Sequence, residues 1–152
     1  MALRMLSEQA ESYMELKVVF QGGKRFEAIA RDHRVLSDQP LDNDGTDRGM
    51  TPPELFLASL GTCAAYYAAE YLTARDLPAD GLEVRVTAEK GGKPVRIASI
   101  ELSVIAPGAD CDDRHREGLR RSVNRCLIHN TLVALPHIEI RIGAEVPALS
   151  AV

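Results

Sequence analysis

The first readable pattern along the chain is an alternation. Leu16, Val18 and Phe20 fall on one face of an extended run, Gly22-Gly23 interrupts it, and Phe26, Ala28 and Ala30 resume it. That predicts a hairpin turning on the two glycines. Asp38 to Met50 (DQPLDNDGTDRGM) is polar and rich in turn formers, which predicts a loop. From Thr51 the pattern changes. Thr51, followed three residues later by Glu54, has the form of a capping box, and Pro52-Pro53 suit a first helical turn. Apolar residues then occupy every side of the helix until Glu70, and the helix is expected to end near Asp76–Pro78. A helix that is apolar all round is expected to be buried.

Beyond it, Leu82, Val84, Val86 and Ala88 alternate with Glu83, Arg85, Thr87 and Glu89. Gly91-Gly92 predicts a second hairpin turn, and Val95 to Ile105 predicts its return strand. Asp112-Asp113 open a second helix whose end carries Arg120, Arg121 and Arg125, the charge order a helix dipole favours. Cys126 falls at or just past that basic end. Ile138, Ile140 and Ile142 predict a last strand. The order hairpin, helix, hairpin, helix, strand describes an α+β domain. These strands cover one side of the first helix, so a second copy of the chain is expected over the other. The expected assembly is a homodimer with this helix near the interface.

The chain has 152 residues, which suits one domain over 1–152, with 1–12 read as a flexible or helical extension. Its net charge of -4 and the absence of tryptophan argue against nucleic acid and against an anionic membrane as partners. The longest uncharged apolar stretch, Leu55 to Ala69, is too short to cross a bilayer, and MALRMLSEQAESY does not read as a signal peptide. The expected compartment is the cytoplasm. There, three cysteines (Cys63, Cys111, Cys126) are free thiols, metal ligands or redox groups rather than a structural disulfide framework.

Cys63 has two readings, a small core residue or a nucleophile. Burial raises the pKa of a thiol, so a reactive Cys63 needs a cation beside it. Lys24 and Arg25 at the first hairpin, and Arg48 before the helix, are the candidates. Cys126, with Arg125 and His129 nearby at a basic helix end, is the second candidate nucleophile, a core thiol, or half of a metal site with His129, and no second pair completes such a site. Cys111, after Pro107-Gly108, is read as incidental, and His33, His115 and His137 as surface or structural. Glu54 caps its helix or orients a cation. Nine helical residues put it about 13.5 Å and some 900° from Cys63, so it cannot touch Cys63 along one helix. A role at that thiol would place Glu54 in the partner subunit's site, or have an arginine bridge a bent entry to the helix; the first agrees with the expected dimer.

These residues carry a resemblance. Gly45 and Gly49 in the loop, Pro53-Glu54-Leu55, the small-residue stretch Ala58 to Cys63, and Cys126 to Leu132 (CLIHNTL) some sixty residues on resemble the OsmC/Ohr superfamily. The resemblance covers most of the chain. It implies an OsmC-like fold, with two β-sheets wrapping two long central helices in an intertwined homodimer. It also implies a thiol-dependent peroxidase acting on organic hydroperoxides, in oxidative-stress defence. Cys63 matches the peroxidatic cysteine, Cys126 the resolving one and Glu54 the site glutamate. The site arginine matches Arg25 in one branch and Arg48 in another. The implied cycle forms a Cys63 sulfenic acid and then a Cys63–Cys126 disulfide, reopened by a dithiol or thioredoxin-like reductant, with no cofactor and no metal. Leu127 replaces the proline common after the second cysteine, and Ala64 replaces a bulkier residue after the first. These departures place the chain in the broader OsmC-like branch. The competing expectation is a non-enzymatic dimer whose apolar cavity holds a small ligand.

Overall fold

The computed structural model describes residues 14–109 and 112–143. The expected N-terminal extension, and Cys111, lie outside the described residues. The architecture is α+β. Three strands come first: β1 (Lys17–Phe20), β2 (Phe26–Ala30) and β3 (His33–Ser37). A 3-10 turn (Leu41–Asn43) precedes α1 (Pro52–Thr73). Then follow β4 (Glu83–Gly91), β5 (Arg96–Ile105), α2 (Asp113–Val123) and α3 (Leu127–Val133). β1, β2 and β3 form one antiparallel sheet in that order, and β4 pairs with β5 in a second.

The first hairpin turns where the glycines predicted. Gly22 and Gly23 adopt φ of 90° and 62°, a left-handed backbone that glycine accepts without a Cβ clash. The register sets Phe20 opposite Phe26, with ring centroids 5.6 Å apart. β3 was not expected, because HRVLS is short and half polar; it forms by pairing with β2, Ala30 opposite His33. The segment 38–50 is a loop, as read. Its organising residue is Asp38, which is fully buried. The Asp38 carboxylate accepts hydrogen bonds from the Gln39 N–H at 2.8 Å, the Thr46 hydroxyl at 2.6 Å, the Thr46 N–H at 3.2 Å and the Arg48 N–H at 3.1 Å. Thr46 above all holds that carboxyl well down, at about 2.

α1 ends at Thr73, and the chain turns through Asp76 at φ 54° before Pro78. Within a single chain the helix is covered on one side only, as expected of a helix whose other side awaits a second copy. Leu60, Gly61, Ala64, Ala68, Tyr71 and Leu72 form one buried stripe, while Glu54, Ser59, Thr62, Tyr66 and Glu70 are exposed. An apolar sequence lets a helix be buried on every face, but the neighbours available decide how many faces are.

The chain divides into two compact units. One takes the chain up to Gly61 with Val86–Glu101, the other Thr62–Arg85 with the chain from Leu102. In the first, a Cβ on Gly61 would meet the Val86 side chain at 2.9 Å, so the helix needs a bare backbone there. In the second, Ala68, Tyr71, Leu72, Ala109 and Leu119 make the core, with Leu77, Leu82, Val104 and Val123 packed around it.

Two further differences concern the C-terminal part. α3 was not expected; it starts immediately after Cys126, whose Sγ accepts the His129 N–H at 3.4 Å as its cap. The last strand, expected over Ile138, Ile140 and Ile142, does not form. These isoleucines are about as exposed as side chains can be, 77%, 82% and 97%, in irregular chain. Alternation describes a strand only when another strand accepts its hydrogen bonds, and among the described residues none does.

Candidate functional site

The second unit brings two of the expected site residues together. Cys63 projects from the middle of α1, one turn from Leu60 and beside Ala64, both buried. Cys126 sits in the tight connection between α2 and α3, where Cys126 N–H bonds to the Val123 carbonyl at 2.9 Å. Their Cα atoms are 5.8 Å apart and the sulfurs are joined in a disulfide. That separation lies inside the narrow window a disulfide requires. The two thiols differ in access: Cys126 is fully buried, whereas Cys63 is half-buried.

The connection that holds Cys126 follows from its sequence. α2 is capped at its start by the Asp112 carboxylate, which accepts the His115 N–H at 2.8 Å. It ends where Asn124 and Arg125 close on Arg120 and Ser122. The Ser122 hydroxyl donates to the Tyr67 carbonyl of α1 at 2.9 Å, which ties the end of α2 to the turn of α1 after Cys63. His129 adds one detail. Its Nδ1 is buried and has no hydrogen-bond partner among the described residues. No group of three or more His, Cys, Asp or Glu side chains clusters there or elsewhere among the described residues to hold a metal ion.

The other expected residues belong to the first unit. Glu54 accepts the Thr51 N–H at 2.7 Å and the Thr51 hydroxyl at 2.8 Å, so it closes the helix start as the capping pattern predicts. Those two bonds hold its carboxyl below the usual range. The Arg25 guanidinium folds back on its own hairpin and donates to the Gly22 and Gln21 carbonyls, each at 3.5 Å. Arg48 is exposed and gives its backbone N–H to Asp38. Lys24 is exposed at the hairpin tip.

A second feature of the cysteine-bearing unit was not anticipated. A groove of about 680 Å³ lies between the C-terminal half of α1 and α2. Tyr71 forms its floor beside Gly118, and Arg75, Arg114, Arg121 and Arg125 line it. The signal in the sequence was the spacing Arg114, Gly118, Arg121, which puts two cations and a gap on one face of α2, with Arg125 just past its end. It gained meaning only when α1 laid its tyrosines against that face.

Residues 45–141 match the family profile described as OsmC-like protein, well over half of the chain. No curated protein sequence matches the chain. Among solved structures, a candidate osmotic stress induced and detoxification response protein from Psychrobacter arcticus 273-4 superposes with a TM-score of 0.70 at 21% identity. The match covers 78% of this chain and 88% of that one. An OsmC-like protein from Mycoplasma pneumoniae gives 0.67 at 20% identity, over 81% and 89% of the two chains. An organic hydroperoxide resistance protein from Elizabethkingia anophelis gives 0.61 at 14% identity, over 81% and 91%. At these identities the likeness is one of fold.

Proposed function

Since the chain belongs to the OsmC-like family, we propose that it is a cysteine-based peroxidase that reduces organic hydroperoxides to alcohols in oxidative-stress defence. The observation that carries this reading is the Cys63–Cys126 pair, with Cα atoms 5.8 Å apart and the sulfurs bonded. Two thiols 63 positions apart in sequence come within bonding distance.

The roles follow from access and from redox chemistry. Cys63 is the thiol that solvent reaches, so it meets the peroxide; buried Cys126 resolves. The Cys63 thiolate attacks the outer oxygen of ROOH, the O–O bond breaks, and the alkoxide leaves with the proton the thiol gave up. The products are Cys63–SOH and ROH. The Cys126 thiol then displaces hydroxide from the sulfenic sulfur, giving the disulfide and water. Two thiols of a dithiol or thioredoxin-like reductant restore the pair by exchange and are themselves oxidised.

A cation is needed to favour the thiolate and to stabilise the leaving oxygen. Arg25 and Arg48 are the proposed sources, with Glu54 orienting whichever serves. In this reading the protein works in the cytoplasm as a homodimer, in which Glu54 and its arginine serve the partner's Cys63. Val18 and Phe20 on the first sheet, and Leu16 just before it, each about 60% exposed, support a second copy as cover. A monomer by light scattering would remove that part. No helix among the described residues is long and apolar enough to cross a membrane.

The test is intact mass with peptide mapping after one equivalent of cumene hydroperoxide is added to reduced protein. Loss of about two mass units, with a peptide joining Cys63 to Cys126, is the expected result. Both thiols remaining free would refute the peroxidase reading. Cys63→Ser is expected to abolish turnover, and Cys126→Ser to stop after one oxidation unless an outside thiol resolves it.

A further inference from the structure

The groove between α1 and α2 has a composition that needs explaining. It holds four arginines against the single carboxylate of Glu70, a local charge of about +3, in a chain whose net charge is -4. Arg121 lies in the last turn of α2 and Arg125 just past its end, and both line the same groove. Surface arginines usually meet an acid. Arg121 does, through Glu117 at 3.1 Å. The side chains of Arg114 and Arg125 make no hydrogen bond or ion pair among the described residues, and both residues are exposed. Arg75 is fixed differently: its guanidinium lies 3.8 Å over the Tyr71 ring and donates to the Tyr71 carbonyl at 3.2 Å.

The hollow itself is built. Gly118 gives α2 no side chain at the point where Tyr71 crosses it, and any Cβ there would collide with the Tyr71 ring. The Tyr71 hydroxyl meets His115 Nδ1 at 3.3 Å, so the floor ring is held at both ends. Tyr66 stands at the edge, 60% exposed, with its ring edge-on to Tyr67 at 5.3 Å. One aromatic face is thus open beside two unpaired guanidinium forks. Neither cysteine lines the groove.

We infer that this groove is a binding site for a small organic phosphate with a planar carbon skeleton. Guanidinium forks match phosphate oxygens bidentately, and several converging forks suit a doubly charged group better than a single carboxylate. The tyrosines take the planar part by stacking. The volume suits a ligand of that size. This inference does not rest on the peroxidase reading.

The experiment is calorimetric titration of the full-length protein with phenyl phosphate, and separately with inorganic phosphate and with phenol. Saturable binding of phenyl phosphate is expected, at least about tenfold tighter than either fragment. Arg114→Gln with Arg125→Gln is expected to weaken it by at least about tenfold, Tyr66→Ala to weaken it measurably, and Arg34→Gln, on the first sheet, to leave it unchanged. If the double variant does not fold by circular dichroism, Arg114→Gln alone serves, with several-fold weakening expected. Absence of saturable binding would overturn the assignment. So would equal affinity for inorganic phosphate, equal affinity for phenol, or binding that the arginine variants leave intact.

Discussion

Gly118→Ala should destabilise the protein even though it replaces glycine by alanine inside a helix. In an isolated helix that change is favourable by about 1 kcal/mol, because alanine loses less backbone entropy. Here the new methyl would overlap the Tyr71 hydroxyl and the adjoining ring carbons. The ring cannot give way easily. It is buried to 8% exposure, sits in the core with Leu72 and Leu119, bonds His115 and carries Arg75 on its face. Overpacking of this kind costs about 1–3 kcal/mol. So close an overlap belongs in the upper part of that range, about 2–3 kcal/mol. Set against a helical gain of about 1 kcal/mol, the net loss should be about 1–2 kcal/mol, read as a lower midpoint in urea unfolding at fixed redox state. The decisive measurement is a double-mutant cycle. With Tyr71→Ala in place the clash is gone, and Gly118→Ala should then stabilise by up to about 1 kcal/mol. A Gly118→Ala protein as stable as the parent, or the same effect in both backgrounds, would refute this account of the α1–α2 contact.

Leu72→Ala should cost about 2–5 kcal/mol in the same assay, since Leu72 is fully buried in that core. Reducing the Cys63–Cys126 disulfide, which closes a loop of 63 residues, should lower stability by up to about 4 kcal/mol, seen as a shift between urea curves with and without dithiothreitol. Asp38 should make stability fall at low pH. Its folded value of about 2 lies below the ordinary 3.8, so its contribution is complete above about 3.8 and lost as pH falls through 2. Asp38→Asn should flatten that acid limb in thermal melts run from pH 5 to 2; an unchanged limb would show that another group sets it.

The sequence by itself determined the parts of this protein that local chemistry controls. The Gly22-Gly23 and Gly91-Gly92 turns, the paired strands on either side of them, and the start of α1 at Thr51 were legible, because backbone freedom, alternation and capping act within a few residues. So were the acidic start and basic end of α2. The pattern around Cys63 and Cys126 singled out both thiols, and it was the family resemblance they carry, not any local rule, that implied that they meet. Tertiary structure alone decided what depends on a neighbour. β3 exists because β2 offers it hydrogen bonds, and Ile138 to Ile142 is not a strand because nothing described offers them. The apolar surface of α1 was evident in sequence, but which stripe of it is buried depends on what packs against it. Asp38 read as one more polar loop residue, and became the centre of its loop only when Thr46 and Arg48 came round to it. The arginine groove is of the same kind. Spacing put Arg114 and Arg121 on one face of α2, but the concavity they share with Arg125 comes from Tyr71 seating on Gly118, a contact between residues 47 positions apart that no local rule encodes.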